Sequence, residues 1–268
     1  MRNTMSRSLV LGLMLAGAAT ISGCAKTGGS TDVPYVARDV GTLYSAAKER
    51  LDDGQYKLAA ALFSEVERQH PFSVWARRAQ LMGAFSYYLD KDYTHAIQSA
   101  QRFIAAHPGN ADAPYAYYLV ALSYYEQISD VAHDQGITQQ ALDALGELQR
   151  RYPQSRYAAD ARLKMDLVRD HLAGKEMEVG RFYEDRGRWL AASMRFRTVV
   201  ENYQTTTQVP EALMRLTETY LALGMPEEAR KSAATLGANY PGSDWYQRAY
   251  ELFRDKAPKA AQSADAGA

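Results

Sequence analysis

Tyr56-Lys57-Leu58-Ala59-Ala60-Ala61-Leu62-Phe63-Ser64-Glu65-Val66, followed after four residues by Pro71, is the stretch that decides the fold. Ala59, Leu62, Phe63 and Val66 recur at helical spacing and form one apolar face. Pro71 stops the helix, because proline cannot continue the backbone hydrogen-bond ladder. The pattern then returns. Ala96, Phe103 and Pro108 repeat Ala59, Val66 and Pro71 after 37 positions (96 − 59). Ala141, Leu148 and Pro153 follow 45 positions on (141 − 96), then Ala192, Phe196 and Val199. Ala229, Leu236 and Pro241 close the series, with Ala229 again 37 from Ala192 (229 − 192). A period of this length marks a helical solenoid, whose units bury their apolar faces only against one another.

Each of these helices has a partner upstream. Leu43, Ala46, Ala47 and Leu51 give the first partner its stripe, and Gly54 ends it. Ala47 and Ala59 stand 12 apart (59 − 47), where two antiparallel helices cross, and the pair recurs as Ala84/Ala96, Gly180/Ala192 and Thr217/Ala229. This pattern resembles the tetratricopeptide repeat, a helix–turn–helix unit of about 34 residues ending in proline. The expectation is an all-α, right-handed solenoid of about five tetratricopeptide-like hairpins with a C-terminal capping helix, Ser243 capping the last.

Two places depart from the period. Ala121 and Ala141 are 20 apart (141 − 121), which implies an eight-residue insertion around 129–138, a polar loop containing Asp130, His133, Asp134 and Gly136. Between Pro153 and Ala192, Tyr157–His171 and Met177–Arg186 both read as helix with only Ala173-Gly174 at the joint, so one long or kinked helix is expected, with Gly174 the easiest place to bend. The chain therefore divides into 39–171, repeats one to three, and 172–256, repeats four and five with the cap. Residues 257–268, rich in Ala and Ser, are expected to be disordered.

The single cysteine rules out an internal disulfide framework and points instead to an anchor. Arg2 and Arg7 precede an apolar run from Leu9 to Ile21, too short to span a bilayer but suited to a secretory signal. Ile21-Ser22-Gly23-Cys24 resembles the bacterial lipobox. That resemblance implies removal of residues 1–23 and a covalent diacylglycerol and N-acyl chain on Cys24, with no other cofactor. Ala25 after the cysteine is similar to outer-membrane sorting, and 24–38 reads as a flexible tether.

Composition narrows the chemistry further. Lys+Arg and Asp+Glu are both 31, so no net field recruits nucleic acid or an anionic membrane. No stretch matches a phosphate-cradling loop, a zinc-binding His-Glu-x-x-His or a nucleophile elbow. His70 and His107 occupy the position before a repeat-ending proline and read as structural; His133 with its aspartates has no metal-ligand spacing. The expectation is a protein that is not an enzyme and holds no metal.

Binding has candidates in the 19 tyrosines. In solenoids of this type the first helix of each hairpin lines the inner surface at its second, fifth, ninth and twelfth positions. Those are Arg78, Leu81, Phe85 and Tyr88 in repeat two, and Tyr115, Tyr118, Leu122 and Tyr125 in repeat three. Repeat one supplies Tyr44 and Lys48; repeat four offers Met177, Arg181 and Glu184. The candidate peptide groove is Tyr44, Phe85, Tyr88, Tyr115, Tyr118 and Tyr125, since tyrosine combines contact area with a polar tip. The competing reading is that these rings fill space between repeats, as Tyr87 and Tyr124 should.

Pro71-Phe72-Ser73, His107-Pro108, Arg151-Tyr152-Pro153-x-Ser155, Asp160-Ala161-Arg162 and Glu176-Met177-x-Val179-Gly180-Arg181-Phe182-Tyr183 together resemble the BamD family, tetratricopeptide lipoproteins of the outer-membrane β-barrel assembly machinery. The resemblance spans about 35–246. It implies a non-enzymatic scaffold, lipid-anchored on the periplasmic face of the outer membrane. It implies as partners a BamA-type barrel subunit, other assembly lipoproteins and the C-terminal segments of unfolded outer-membrane proteins. Arg181, Arg186 and Arg188 are the candidates for partner docking. The alternative is a periplasmic repeat protein coordinating envelope synthesis or cell division.

Overall fold

A computed structural model of the chain describes residues 39–130 and 135–256. The signal peptide 1–23, Cys24, the tether 24–38, His133, Asp134 and the tail 257–268 lie outside the described residues.

Within them the chain forms eleven helices and is all-α: α1 (Val40–Asp52), α2 (Tyr56–Gln69), α3 (Val74–Leu89), α4 (Tyr93–Ala106), α5 (Ala113–Tyr125), α6 (Gly136–Arg151), α7 (Ala158–Glu184), α8 (Trp189–Asn202), α9 (Val209–Ala222), α10 (Pro226–Asn239) and α11 (Asp244–Lys256). Each packs chiefly on its sequence neighbours, and α11 closes the stack against α9 and α10. Hydrophobic clusters follow the same order. One joins α1, α2 and α3; others join α4 to α5, and α5 to α6 and α7; the last joins α7 to α11.

The small-residue pairs explain how the hairpins close. Ala47, Ala59, Ala84, Ala96, Ala121, Ala141, Ala192, Thr217 and Ala229 are all fully buried. At Gly180 even a methyl is too much: a Cβ there would sit 2.3 Å from Cε1 of fully buried Phe196. Seven residues after each small residue of the second helices come Val66, Phe103, Leu148, Val199 and Leu236, buried in every repeat.

The turns repeat as closely as the crossings. His70, His107, Tyr152, Tyr203 and Tyr240 end their helices with φ between −127° and −137° and ψ between 43° and 57°. Tyr203 adopts this geometry although Gln204 replaces the proline, so the cap conformation does not depend on that ring. Within the hairpins, Gly54, Lys91, Gly187 and Gly224 take positive φ, Lys91 being the only non-glycine among them. Ser73 and Ser243 cap the helices after their turns, accepting from Ala76 N at 3.0 Å and Tyr246 N at 3.1 Å.

α7 runs unbroken through Gly174 for 27 residues, the one long helix expected at the joint of the two halves. Two expectations need correction. α6 already begins at Gly136 and Thr138 is buried in its first turn, so the last three residues of the loop expected over 129–138 belong to the helix. Leu81, Met177 and Glu184 are buried instead of lining an open groove. Leu81 packs with Phe103 and Ala116. Met177 joins the cluster shared by α7 to α11, and Glu184 pairs with Arg215 of α9.

Candidate functional site

The first helices of successive hairpins, α1, α3 and α5, touch one another along one side of the stack. Their aromatic residues therefore meet. Phe85 lies 6.5 Å from Tyr88 and 6.3 Å from Tyr115, ring centre to ring centre. Tyr115 and Tyr118 reach a common neighbour, Tyr157, at 5.5 Å and 4.9 Å, the second pair stacked. Offset and tilted contacts at these distances are favourable for aromatic rings. All five side chains are half-buried, each keeping an edge in solvent.

Polar tips bind this surface to carboxylates. Tyr88 Oη donates to Glu126 Oε1 at 3.4 Å, and Tyr118 Oη donates to Asp160 Oδ2. Asp160 also pairs with Lys164 at 3.1 Å, whose Nζ lies 5.3 Å from the centre of the Tyr125 ring. Burial pushes the Tyr88 hydroxyl up to about 12, with Glu126 adding to it. Burial does the same to Tyr115, again to about 12, with Tyr157 next in effect. Tyr118 is raised too, by burial and by its bond to Asp160. Burial would raise Asp160, but the bonds from Tyr118 and Lys164 prevail and hold its carboxyl below the ordinary range. At neutral pH the site thus presents neutral phenols and paired charges.

Four of the six expected groove residues, Phe85, Tyr88, Tyr115 and Tyr118, form one ring cluster. Tyr125 joins it through the Lys164–Asp160 link. Tyr44 does not: it packs between the first hairpin and the start of α3, 5.5 Å from Phe63 and 4.8 Å from Trp75. Sequence reasoning missed Tyr157, Asp160 and Lys164. The missing signal was positional, since Tyr157 caps α7 and lies outside the first-helix register used to find the others. Of the residues set aside as packing, Tyr124 packs beside Leu119, Val120 and Ile97, and Tyr87 stacks on His95.

The face made by α7, α8 and α9 is different. Arg181 binds Glu211 at 3.1 Å, and Arg215 reaches both Glu211, at 2.6 Å, and Glu184. Arg181 is therefore engaged by Glu211, although its side chain remains 39% exposed. Arg186 turns back to donate to Phe182 O at 3.0 Å, its guanidinium over the Phe182 ring, and Arg188 stands exposed before α8. Phe182, Leu190 and Met194 are exposed in the same hairpin, apolar residues that the sequence reading passed over. Among the described residues no group of three His, Cys, Asp or Glu side chains could hold a metal, and no helix is long and apolar enough to cross a membrane.

A row of helix hairpins with rings shared between its first helices, and charge pairs further along, defines a repeat scaffold of the tetratricopeptide type. The sequence profile of the family described as outer membrane lipoprotein, YfiO, matches residues 37–236. The chain is 50% identical over 238 residues to the outer membrane protein assembly factor BamD of Caulobacter vibrioides, covering 89% of this chain and 78% of that protein. It is 44% identical over 251 residues to the protein of the same name from Rickettsia prowazekii, covering 94% and 96%. A thermophilic TPR protein of Thermus thermophilus aligns over 80% of this chain and 99% of its own, at 20% identity and a TM-score of 0.37. The chain belongs to the BamD (YfiO) family of outer membrane lipoproteins, which are non-catalytic assembly factors.

Proposed function

We propose that this chain is the receptor and scaffold subunit of a β-barrel assembly machinery. Its first three repeats receive the C-terminal, aromatic-ending segments of unfolded outer-membrane proteins. Its last two dock on a BamA-type barrel subunit, beside other lipoproteins of the complex, and acyl chains on Cys24 hold the whole to the outer membrane. One observation carries the reading: the half-buried ring cluster of Phe85, Tyr88, Tyr115, Tyr118 and Tyr157 offers aromatic area and pre-positioned hydroxyls to an extended chain. The exposed Phe182, Leu190 and Met194 with Arg186 and Arg188 support the docking half.

Photo-crosslinking in cells tests both assignments at once. A crosslinker at position 118 is expected to capture barrel precursors, and one at 190 the barrel subunit. Capture of cell-division or envelope-synthesis proteins at both positions, with no barrel protein, would favour the alternative.

A further inference from the structure

Every inter-repeat turn of this solenoid opens with the same cap conformation, and four of the five put small or polar residues at its tip. The residue two after the helix cap is Gly109, Gln154, Thr205 or Gly242, exposed in each case. Two residues further on stand Ala111, Arg156, Thr207 and Asp244. The first turn alone places Phe72 and Val74 at these positions, 102% and 60% exposed. Nothing in the fold calls for them, because the other four turns close without a large apolar residue there.

The location of this tip limits what can cover it. α1 and α2 are antiparallel, so the α2–α3 turn lies at the end of the hairpin where the chain enters α1. Ring contacts fix this: Tyr44, one turn into α1, is 4.8 Å from Trp75, three residues past Phe72. The tip therefore sits beside Asp39, where the tether from Cys24 arrives. Fifteen residues separate the two (39 − 24). Fully stretched they reach about 50 Å. An anchor on Cys24 thus keeps this end of the solenoid, more than any other, near the lipid surface. Charge agrees with that neighbour. Arg77 and Arg78 are exposed one helical turn after Val74, and among the described residues neither has an ion-pair partner, although Arg78 leans over Trp75 at 5.8 Å.

We infer that Phe72 and Val74 form an apolar tip that enters the interface of the anchoring bilayer, with Arg77 and Arg78 meeting lipid phosphates. Exposed apolar residues flanked by basic ones gain both burial and electrostatic attraction at such a surface. This rests on the reading that Cys24 carries the acyl chains, and turns a tether into an orienting contact.

The acylated full chain with Phe72→Cys is the probe. Thioether formation consumes the Cys24 sulfur, so an environment-sensitive dye labels position 72 alone; labelling of Cys24 as well would show that the anchor reading has failed, independently of the tip. In phosphatidylethanolamine–phosphatidylglycerol vesicles the dye should be quenched by lipid-borne spin labels and protected from iodide. The same dye on Gly109→Cys should remain open to iodide. Separately, mature Cys24→Ser chain should partition onto these vesicles at least five-fold less when Phe72→Ser and Val74→Ser are added, with circular dichroism unchanged. Equal iodide quenching at 72 and 109, unchanged partitioning, or protection by the barrel subunit in detergent without vesicles would each overturn the inference, the last assigning the tip to a protein.

Discussion

The face of α3 and α5 and the face of α7 and α9 are built on the same crossings and turns, yet they spend their inner residues differently. In the first, four rings from α3 and α5 and a fifth from the start of α7 lie half-buried against each other, with the Tyr88 and Tyr118 hydroxyls tied to carboxylates. In the second, Arg181, Glu184, Glu211 and Arg215 neutralise one another across the helices, and Met177 disappears into the core. A solenoid makes this division cheap, because each repeat depends only on its neighbours. The aromatic half leaves its rings only half-buried. The charged half uses its inner residues to hold itself together and turns apolar residues outward.

The largest expected effect breaks the charged face. Arg215→Ala leaves Glu184 buried without its cation, and burial already raises that carboxyl's pKa. The loss should be about 3 kcal/mol of stability by urea unfolding. Peptide capture by the aromatic face should survive at urea concentrations well below the transition. Gly180→Ala comes next. Alanine gains roughly 1 kcal/mol in helix propensity, but its methyl collides with Phe196, which has no room to move. A net loss of about 1–2 kcal/mol is expected, from overpacking.

The smallest effect sharpens the aromatic face. Tyr88 and Tyr115 hold their protons to about 12 when folded, whereas an unfolded tyrosine releases its proton near about 10. Between those values the folded chain binds more protons than the unfolded one, so stability falls as pH rises from 10 to 12. Tyr88→Phe with Tyr115→Phe should shrink the drop in urea midpoint across that window. An equal drop in both proteins would mean the hydroxyls are not held.

Much of this was legible before any coordinates. The 12- and 37-residue spacings located the crossings, and residue size explains why: only Gly, Ala or Thr fits where helix backbones meet. The aromatic register on α3 and α5 could also be read, because each hairpin repeats the geometry of the last. What could not be read arose from contacts between repeats. Tyr157 sits outside the helical register, so no periodicity marked it as the ring joining Tyr115 to Tyr118. Met177 and Glu184 carried the groove pattern, but the core of the last repeats takes Met177 and Arg215 takes Glu184. Tyr44 has the right position but turns to Phe63 and, in the next repeat, Trp75.

The central claim, that the rings of the first repeats hold an extended chain, is tested most directly by peptide affinity. A labelled peptide ending in an aromatic residue should bind the mature chain, and Tyr88→Ala with Tyr118→Ala should weaken it by more than about 2 kcal/mol, with Arg188→Ala as a neutral control. Unchanged affinity in the double variant, its helicity intact, would contradict the account.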